Sequence, residues 1–354
     1  MTALRKHALT IATAVIAIAF LLTGRVSLAA AKKAIDVDLL LVLFALLVAV
    51  EILREAGWLD LLVAITISRF HTTRGFAVAL IAMSGVLAAL VTNDVTLFVV
   101  IPFTVVASRF SDFDLEDAVI LEIIAANLLG CLTPLGNPQN LFVFHSSGWT
   151  AAHFIDVMWP FVAASAAGLL AAVFLLGPSR PLIKADAQLP PRNTMAGIAG
   201  ALCFALVLLE IARIANAWPA AIVALIAGVF FLPRGLFALD LSIVPLFLAA
   251  FVIVEGLPRV NVSGHIYVSA IALSQVISNV PATILLAPVA HDWKALLYGA
   301  NAGGCGTIIA SLANLLGWRI YVRESGRDPR FFRRLTALNF AFLAWIGVSG
   351  WLLL

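Results

Sequence analysis

The chain has 354 residues, of which 63% are hydrophobic and 12% charged, with a formal net charge of +3. A soluble domain carries about 25% charged residues, so most of this chain belongs in lipid, as its mean hydropathy of +1.08 also says. No polar stretch approaches the roughly 50 residues a soluble domain needs, which excludes an attached ATPase, kinase or sensor, and the basic residues are scattered over loops rather than massed for nucleic acid.

In chain order, Arg5-Lys6, the apolar run Ala8 to Leu22 and the small residues Ser27 to Ala31 have the layout of a secretory signal peptide. A retained helix is the expectation, because the first half otherwise lacks a span that the second half has. Crossing a ~30 Å hydrocarbon core takes roughly 20 apolar residues, and about ten segments qualify. The first half reads as spans at 8–24 and 36–54, a short one at 58–70, a hairpin at 75–109, a broken segment at 117–147 and a span at 152–176. A polar linker at 177–193 follows, with Pro178, Pro181, Pro190 and Pro191 among Arg180, Lys184 and Arg192. The second half has spans at 194–213, 218–233 and 240–256, a hairpin at 264–290, a broken segment at 296–322 and a last span at 333–354.

The halves repeat one another. Leu90-Val91-Thr92-Asn93-Asp94-Val95-Thr96-Leu97, closing at Pro102, matches Val276-Ile277-Ser278-Asn279-Val280-Pro281-Ala282-Thr283, closing at Pro288 with the same offset. Asn127…Gly130-Cys131-Leu132-Thr133…Asn140-Leu141 matches Asn301…Gly304-Cys305-Gly306-Thr307…Asn314-Leu315, again at one offset. Leu59-Asp60-Leu61 recurs as Leu239-Asp240-Leu241 ahead of each hairpin. The expected domains are a first repeat over 1–176, the linker and a second repeat over 194–354.

Counting sides with non-crossing hairpins puts Arg25, Lys32, Lys33, Arg69, Arg74, Arg109, Arg180, Lys184, Arg192, Arg234, Arg319, Arg323, Arg327, Arg330, Arg333 and Arg334 on one face. Only Arg5, Lys6, Arg54, Arg213, Arg259 and Lys294 fall on the other. The positive-inside rule makes the first face cytoplasmic. Both termini are then outside, and the hairpins enter from opposite faces. The fold class expected is an all-α polytopic membrane protein of two inverted-topology repeats, with two re-entrant hairpins and two broken helices, in a bacterial inner membrane.

Backbone that unwinds inside hydrocarbon survives only where it lines a polar cavity. Thr92-Asn93-Asp94 and Ser278-Asn279 interrupt runs of Val, Leu and Ile, and a polar tip between half-helices offers carbonyls to a cation and N–H groups to an anion. Thr133-Pro134-Leu135-Gly136-Asn137-Pro138-Gln139-Asn140 cannot continue a helix. Its counterpart, Gly303-Gly304-Cys305-Gly306-Thr307, breaks with glycine instead. The candidate substrate and ion ligands are therefore Thr92, Asn93, Asp94, Thr133, Gly136, Asn137, Gln139, Asn140, Ser278, Asn279, Gly304, Gly306 and Thr307. Breaks of this kind, paired across a repeat, build the site of a secondary transporter. Ordinary interfacial loops are the bland alternative.

Asp94 is the one ionisable tip residue, opposite Val280, and a carboxylate at that depth is a functional candidate. It suits proton or Na+ coupling, with a helix cap as the competing reading. Glu122 reads equally as a solvated helix face or a pathway residue. Glu210 and Arg213 read as a mutual pair, Glu51 and Glu255 as interfacial. Cys131 and Cys305 could ligate a soft metalloid, but small-residue packing explains them more simply. The six histidines show no ligand spacing; His145 and His153 read as loop residues. No cofactor is expected beyond Na+ or H+ as coupling ion, and no metal beyond a Na+ at Asn93 and Asn279.

The tip at Thr92 to Leu97 with Pro102, the Thr133 to Asn140 break, Ser278-Asn279-Val280-Pro281-Ala282 and the run Gly306 to Asn314 together resemble the ion transporter superfamily. It includes arsenite-efflux permeases, NhaD-type Na+/H+ antiporters, citrate transporters and divalent anion/sodium symporters. The Asn-Asp tip and Gly136-Asn137-Pro138-Gln139-Asn140 are most similar to the arsenite-permease-like branch; the dicarboxylate symporters usually show Ser-Asn-Thr at both tips. The resemblance implies tips and breaks meeting at mid-membrane, elevator-type alternating access and a scaffold that is often a homodimer.

The expected function is ion-coupled secondary transport of a small inorganic or organic anion, or an oxyacid such as arsenite. The alternatives are a Na+/H+ antiporter and, in another class, an ion channel on the same fold. No nucleophile, paired-carboxylate or metal constellation suggests an enzyme.

Overall fold

The computed structural model describes residues 8–35, 37–182, 191–211, 214–232, 239, 243–256, 265–326 and 329–354. Arg5, Lys6, Lys184, Arg213 with its pairing to Glu210, Arg234, Asp240, Arg259, Arg327 and most of the linker lie outside the described residues. Among the described residues the chain is all-α. Its chain contacts divide it into two compact units, residues 1–58 with 191–259, and 59–190 with 260–354. Each expected repeat contributes helices to both.

In the first unit, α1 (Ala8–Leu22), α2 (Leu28–Ala34), α3 (Val37–Glu55), α10 (Thr194–Ile211), α11 (Ala217–Phe231) and α12 (Ile243–Glu255) are the helices. α2 was not expected; Ser27 caps it by accepting from Ala30 N–H at 3.1 Å. α1 and α12 bury Ala17, Val26, Ala31, Ala249 and Val252 together. Arg25 Nε closes their end by donating to the Gly256 carbonyl at 2.7 Å. α3 packs against α10 and α11. It approaches α10 at Gly200, where a Cβ would press on Ile52 and Leu53. Glu51, expected at an interface, pairs with Arg54 one turn on at 2.5 Å.

The second unit starts with α4 (Trp58–Ser68), α5 (Thr73–Val91), α6 (Asn93–Ala107), α7 (Leu115–Leu128), α8 (Pro138–Ser147) and α9 (Ala151–Leu175). α13 (Ile266–Ile277), α14 (Asn279–Leu286), α15 (Trp293–Gly303), α16 (Leu312–Ser325) and α17 (Pro329–Leu352) complete it. Leu59, Val63 and Ile67 of α4 join Phe76, Leu80, Phe103, Val106 and Ala118 in one buried cluster. Residues Thr73–Val91, Ala151–Leu175 and Pro329–Leu352 form helices long and apolar enough to cross a membrane. Shorter apolar helices among the described residues include Trp58–Ser68, Asn93–Ala107, Ala217–Phe231 and Ile266–Ile277. Leu175, Phe174, Leu352 and Val348 project outward from the long ones, as lipid-facing side chains do.

Helix ends follow local chemistry. Asp114 caps α7 through Asp117 N–H at 3.0 Å, Thr150 caps α9 through His153 N–H at 3.2 Å, and Gly148 ends α8 in the left-handed region. At their N-terminal ends α7 and α17 are pinned by Asp117 to Arg334 at 2.6 Å and Glu116 to Arg330 at 3.5 Å.

Candidate functional site

The junction of α5 and α6 is a single residue. Thr92 has φ 115°, ψ 151°, and the junction of α13 and α14 is likewise one residue, Ser278, with φ 74°, ψ 152°. They are the two non-glycine residues of positive φ among the described residues. A β-branched threonine in that conformation costs on the order of 1–3 kcal/mol, and such strain persists only where the surroundings hold it.

Those surroundings are the helix breaks. Asn93 N–H, the first past Thr92, donates to the Gly136 carbonyl at 2.8 Å, and Asn279 N–H, the first past Ser278, donates to the Ala310 carbonyl at 2.9 Å. Each hinge therefore sits on the break of its own half. Thr133 Oγ1 fastens the first break to the Ala89 carbonyl at 2.5 Å, and Thr307 Oγ1 fastens the second to the Gln275 carbonyl at 2.9 Å. Gly136 is required at its place because a Cβ would collide with the Gly130 carbonyl. Gly306 is required because its φ is 110°. Gly304 leaves room for Asn279, whose Nδ2 would lie 2.9 Å from a Cβ there.

Between the two breaks runs a closed set of buried amides. Asn127, at the end of α7, donates through Nδ2 to Asn314 Oδ1 at 3.0 Å. Asn301, at the matching place in α15, donates to Asn140 Oδ1 at 2.7 Å. Asn127 Oδ1 accepts from Ser311 Oγ at 3.0 Å and from Asn93 Nδ2 at 2.9 Å. Asn301 Oδ1 accepts from Asn137 Nδ2 at 3.0 Å and Gln139 Nε2 at 3.1 Å. Asn140 Nδ2 turns back to the Cys131 carbonyl at 3.1 Å, as Asn314 Nδ2 does to the Gly304 carbonyl at 2.9 Å. Two of the bonds are matched across the repeat, Asn127 to Asn314 with Asn301 to Asn140, and Ser311 to Asn127 with Asn137 to Asn301, each half donating to the other and receiving in return. Both lone pairs of the Asn127 and Asn301 oxygens are filled, so these amides hold the breaks in place rather than wait for a ligand.

Other oxygens are unfilled. Asp94 Oδ1, Thr96 Oγ1, Asn137 Oδ1 and Gln139 Oε1 are buried without a hydrogen-bond partner. Asn93 Oδ1 caps α6 by accepting from Asp94 N–H at 2.9 Å. Buried polar atoms are nearly always paired, so these four orphans, all on the hinge and break of the first half, need an explanation.

Of the residues chosen from the sequence, Thr92, Asn93, Asp94, Thr133, Gly136, Asn137, Gln139 and Asn140 gather around the first hinge and break, and Ser278, Asn279, Gly304, Gly306 and Thr307 around the second. Asn127, Asn301, Ser311 and Asn314 are not among the ligands read from the sequence, although Asn127 with Asn301 and Asn140 with Asn314 recur at one offset and carry a usable signal. Glu122 is fully buried, which removes its reading as a solvated face; Thr104 Oγ1 donates to its Oε1 at 2.6 Å and its Oε2 has no partner. Cys131 and Cys305 are buried free thiols, and Cys131 Sγ lies 2.8 Å from the Leu128 carbonyl. No group of three or more His, Cys, Asp or Glu is placed to hold a metal among the described residues.

Residues 1–297 match the family model described as citrate transporter, CitMHS. The chain belongs to the citrate transporter family. It is 36% identical over 292 residues to an uncharacterized transporter of Methanocaldococcus jannaschii, covering 78% of this chain and 79% of that protein. It is 31% identical over 338 residues to the inner membrane protein YbiR of Escherichia coli, covering 91% and 88%. A shorter match, 27% identical over 147 residues, reaches the P protein of Homo sapiens and covers 38% of this chain and 17% of that protein. This family member is therefore a membrane transporter and not an enzyme, an integral membrane protein whose polar core is built from helix breaks.

Proposed function

We propose that the chain is an ion-coupled secondary active transporter of a small anion or oxyacid, of the carboxylate or arsenite type. The observation that carries this reading is the pair of strained hinges, Thr92 and Ser278, each seated on the helix break of its own half. A channel needs no such bistable element, whereas alternating access does. The orphaned oxygens near Asn93 and Asp94 suit a coupling Na+ or proton. α8 and α14 begin without a side-chain cap, which suits N–H donation to an anion. The family description favours a carboxylate. All hairpin and break residues fall in one compact unit, which supports an elevator movement of that unit. The reading includes inverted repeats, both termini outside and a homodimeric scaffold.

The test is uptake into proteoliposomes, with citrate and arsenite as separate labelled probes under an imposed Na+ or pH gradient. Asn93→Ala and Asn279→Ala should each abolish uptake while the protein still unfolds cooperatively. Wild-type rates in both variants would place the site elsewhere. Saturable counterflow is expected of a carrier, and its absence would indicate a channel. A second reading, the Na+/H+ antiporter, draws on the buried and unpaired Asp94 Oδ1. Na+-driven proton movement in liposomes free of any substrate anion would select it.

A further inference from the structure

One side chain at the second break has no counterpart at the first. Gln275, in the last turns of α13, points its amide nitrogen at a cluster of backbone carbonyls: Gly303 at 2.9 Å, Cys305 at 3.0 Å and Ile271 at 3.3 Å. Its Oε1 accepts from Thr307 N–H at 2.9 Å, which fixes which end of the amide faces the carbonyls. An NH2 group has two hydrogens for these three acceptors. Carbonyls left free by a broken helix and gathered about one point are the donor set that a monovalent cation takes. Here an amide nitrogen occupies that point.

At the matching position of the first half stands Ala89, whose side chain has no polar atom. The backbone carbonyls of the two residues play one role, accepting from Thr133 Oγ1 and Thr307 Oγ1 respectively, so the comparison is position for position. Around the hinges and breaks, the buried orphan oxygens among the described residues are those of Asp94, Thr96, Asn137 and Gln139, all in the first half. In the aligned repeats Asp94 corresponds to Val280 and Gln139 to Ala313. One break has oxygens to spare; the other is already closed.

We propose that the Gln275 side chain is a built-in substitute for a cation in the second break, so that the protein binds its coupling cation in the first half alone. This rests on the cation-coupled reading above and adds the number and place of the cations to it. Gln275 thereby sets the coupling stoichiometry without touching the substrate.

The experiment uses the full chain in nanodiscs at pH 8, with NaCl exchanged for choline chloride at constant ionic strength and thermal unfolding as the readout. The wild type should show a single-site Na+ response that Asn93→Ala removes. Gln275→Ala uncovers the Gly303 and Cys305 carbonyls and should gain a second Na+ response that persists in the Asn93→Ala/Gln275→Ala double variant. Gln275→Glu keeps the acceptor for Thr307 N–H but sets carboxylate oxygen against the carbonyls. It should unfold earlier than wild type in choline and recover in Na+, and it decides the matter if Gln275→Ala does not fold. A two-site response in the wild type with one phase surviving Asn93→Ala would overturn the proposal. So would Gln275 variants that fold and respond to Na+ as the wild type does. A wild type indifferent to Na+ beside Gln275 variants that gain a response would support the substitute role while refuting Na+ coupling at Asn93.

Discussion

Asn127→Ala tests whether the amide set holds the breaks together. The substitution removes three bonds at once and strands three partners: Asn93 Nδ2, Ser311 Oγ and Asn314 Oδ1. Counted only as lost side-chain bonds in a membrane protein, at about 0.6 kcal/mol each, the cost is about 2 kcal/mol. Counted as buried polar groups left unsatisfied, at about 1–3 kcal/mol each, it is about 3–9 kcal/mol. The three partners are themselves buried, Asn314 fully and Asn93 and Ser311 almost so, which selects the higher range. Reversible unfolding in mild detergent measures the loss. A double-mutant cycle with Asn314→Ala should return a coupling of about 0.5–3 kcal/mol, because the two residues share a bond. A loss under about 1 kcal/mol, below even the lost-bond count, would refute the reasoning. Strict additivity in the cycle would do the same for the direct bond.

Three further outcomes are expected. Gly136→Ala should disrupt the first break and give little folded protein on size exclusion, since its Cβ meets the Gly130 carbonyl; Gly148→Ala, in open space at φ 70°, should cost only about 1 kcal/mol. Asp94→Asn should lose substrate accumulation driven by a pH or Na+ gradient while keeping slow exchange, with the pH dependence of uptake flattened; unchanged concentrative uptake would make Asp94 a structural cap. Arg334→Met should cost more than the about 1 kcal/mol of an exposed pair and change little with salt, because Asp117, its partner at 2.6 Å, is buried and would be left without its cation; a smaller, salt-sensitive loss in reversible unfolding would show the pair to be a surface one.

The helices were largely legible because apolar runs end where proline, glycine or a capping hydroxyl ends them. Thr73–Val91 and Asn93–Ala107 lie within two residues of the hairpin read at 75–109, and α7 and α8 together lie within two residues of the broken segment read at 117–147. The exception, α2, is a seven-residue helix over Leu28–Ala34 in a stretch short enough to pass for a loop. The candidate tips were legible through repetition, but the pairing of their side chains was not. An offset tells that Asn127 corresponds to Asn301; it does not tell that Asn127 reaches Asn314 of the other half. Glu122 was ambiguous for a related reason. Its helix, Leu115–Leu128, is buried on every side after the first turn, so no polar face existed to reveal which way the carboxylate points.

Gln275 was passed over because a lone glutamine in an apolar helix carries no pattern, yet it belongs to the clearest distinction between the halves. Where the halves agree, at Asn127 with Asn301, Asn140 with Asn314 and Thr133 with Thr307, the side chains bond one another or their own backbone. Where they differ, at Asp94 against Val280, Gln139 against Ala313 and Ala89 against Gln275, oxygens are left over in one half and carbonyls are capped in the other. Agreement therefore marks most of the frame, and where Asn137 stands against Ser311 a different donor keeps the same reciprocal bond. Difference marks the positions free to specialise. A repeat that began with equivalent sites can make its halves differ without breaking the frame only where no reciprocal bond is lost: the Asp94 and Gln275 side chains make none, and the bond from Gln139 to Asn301 has no counterpart at Ala313.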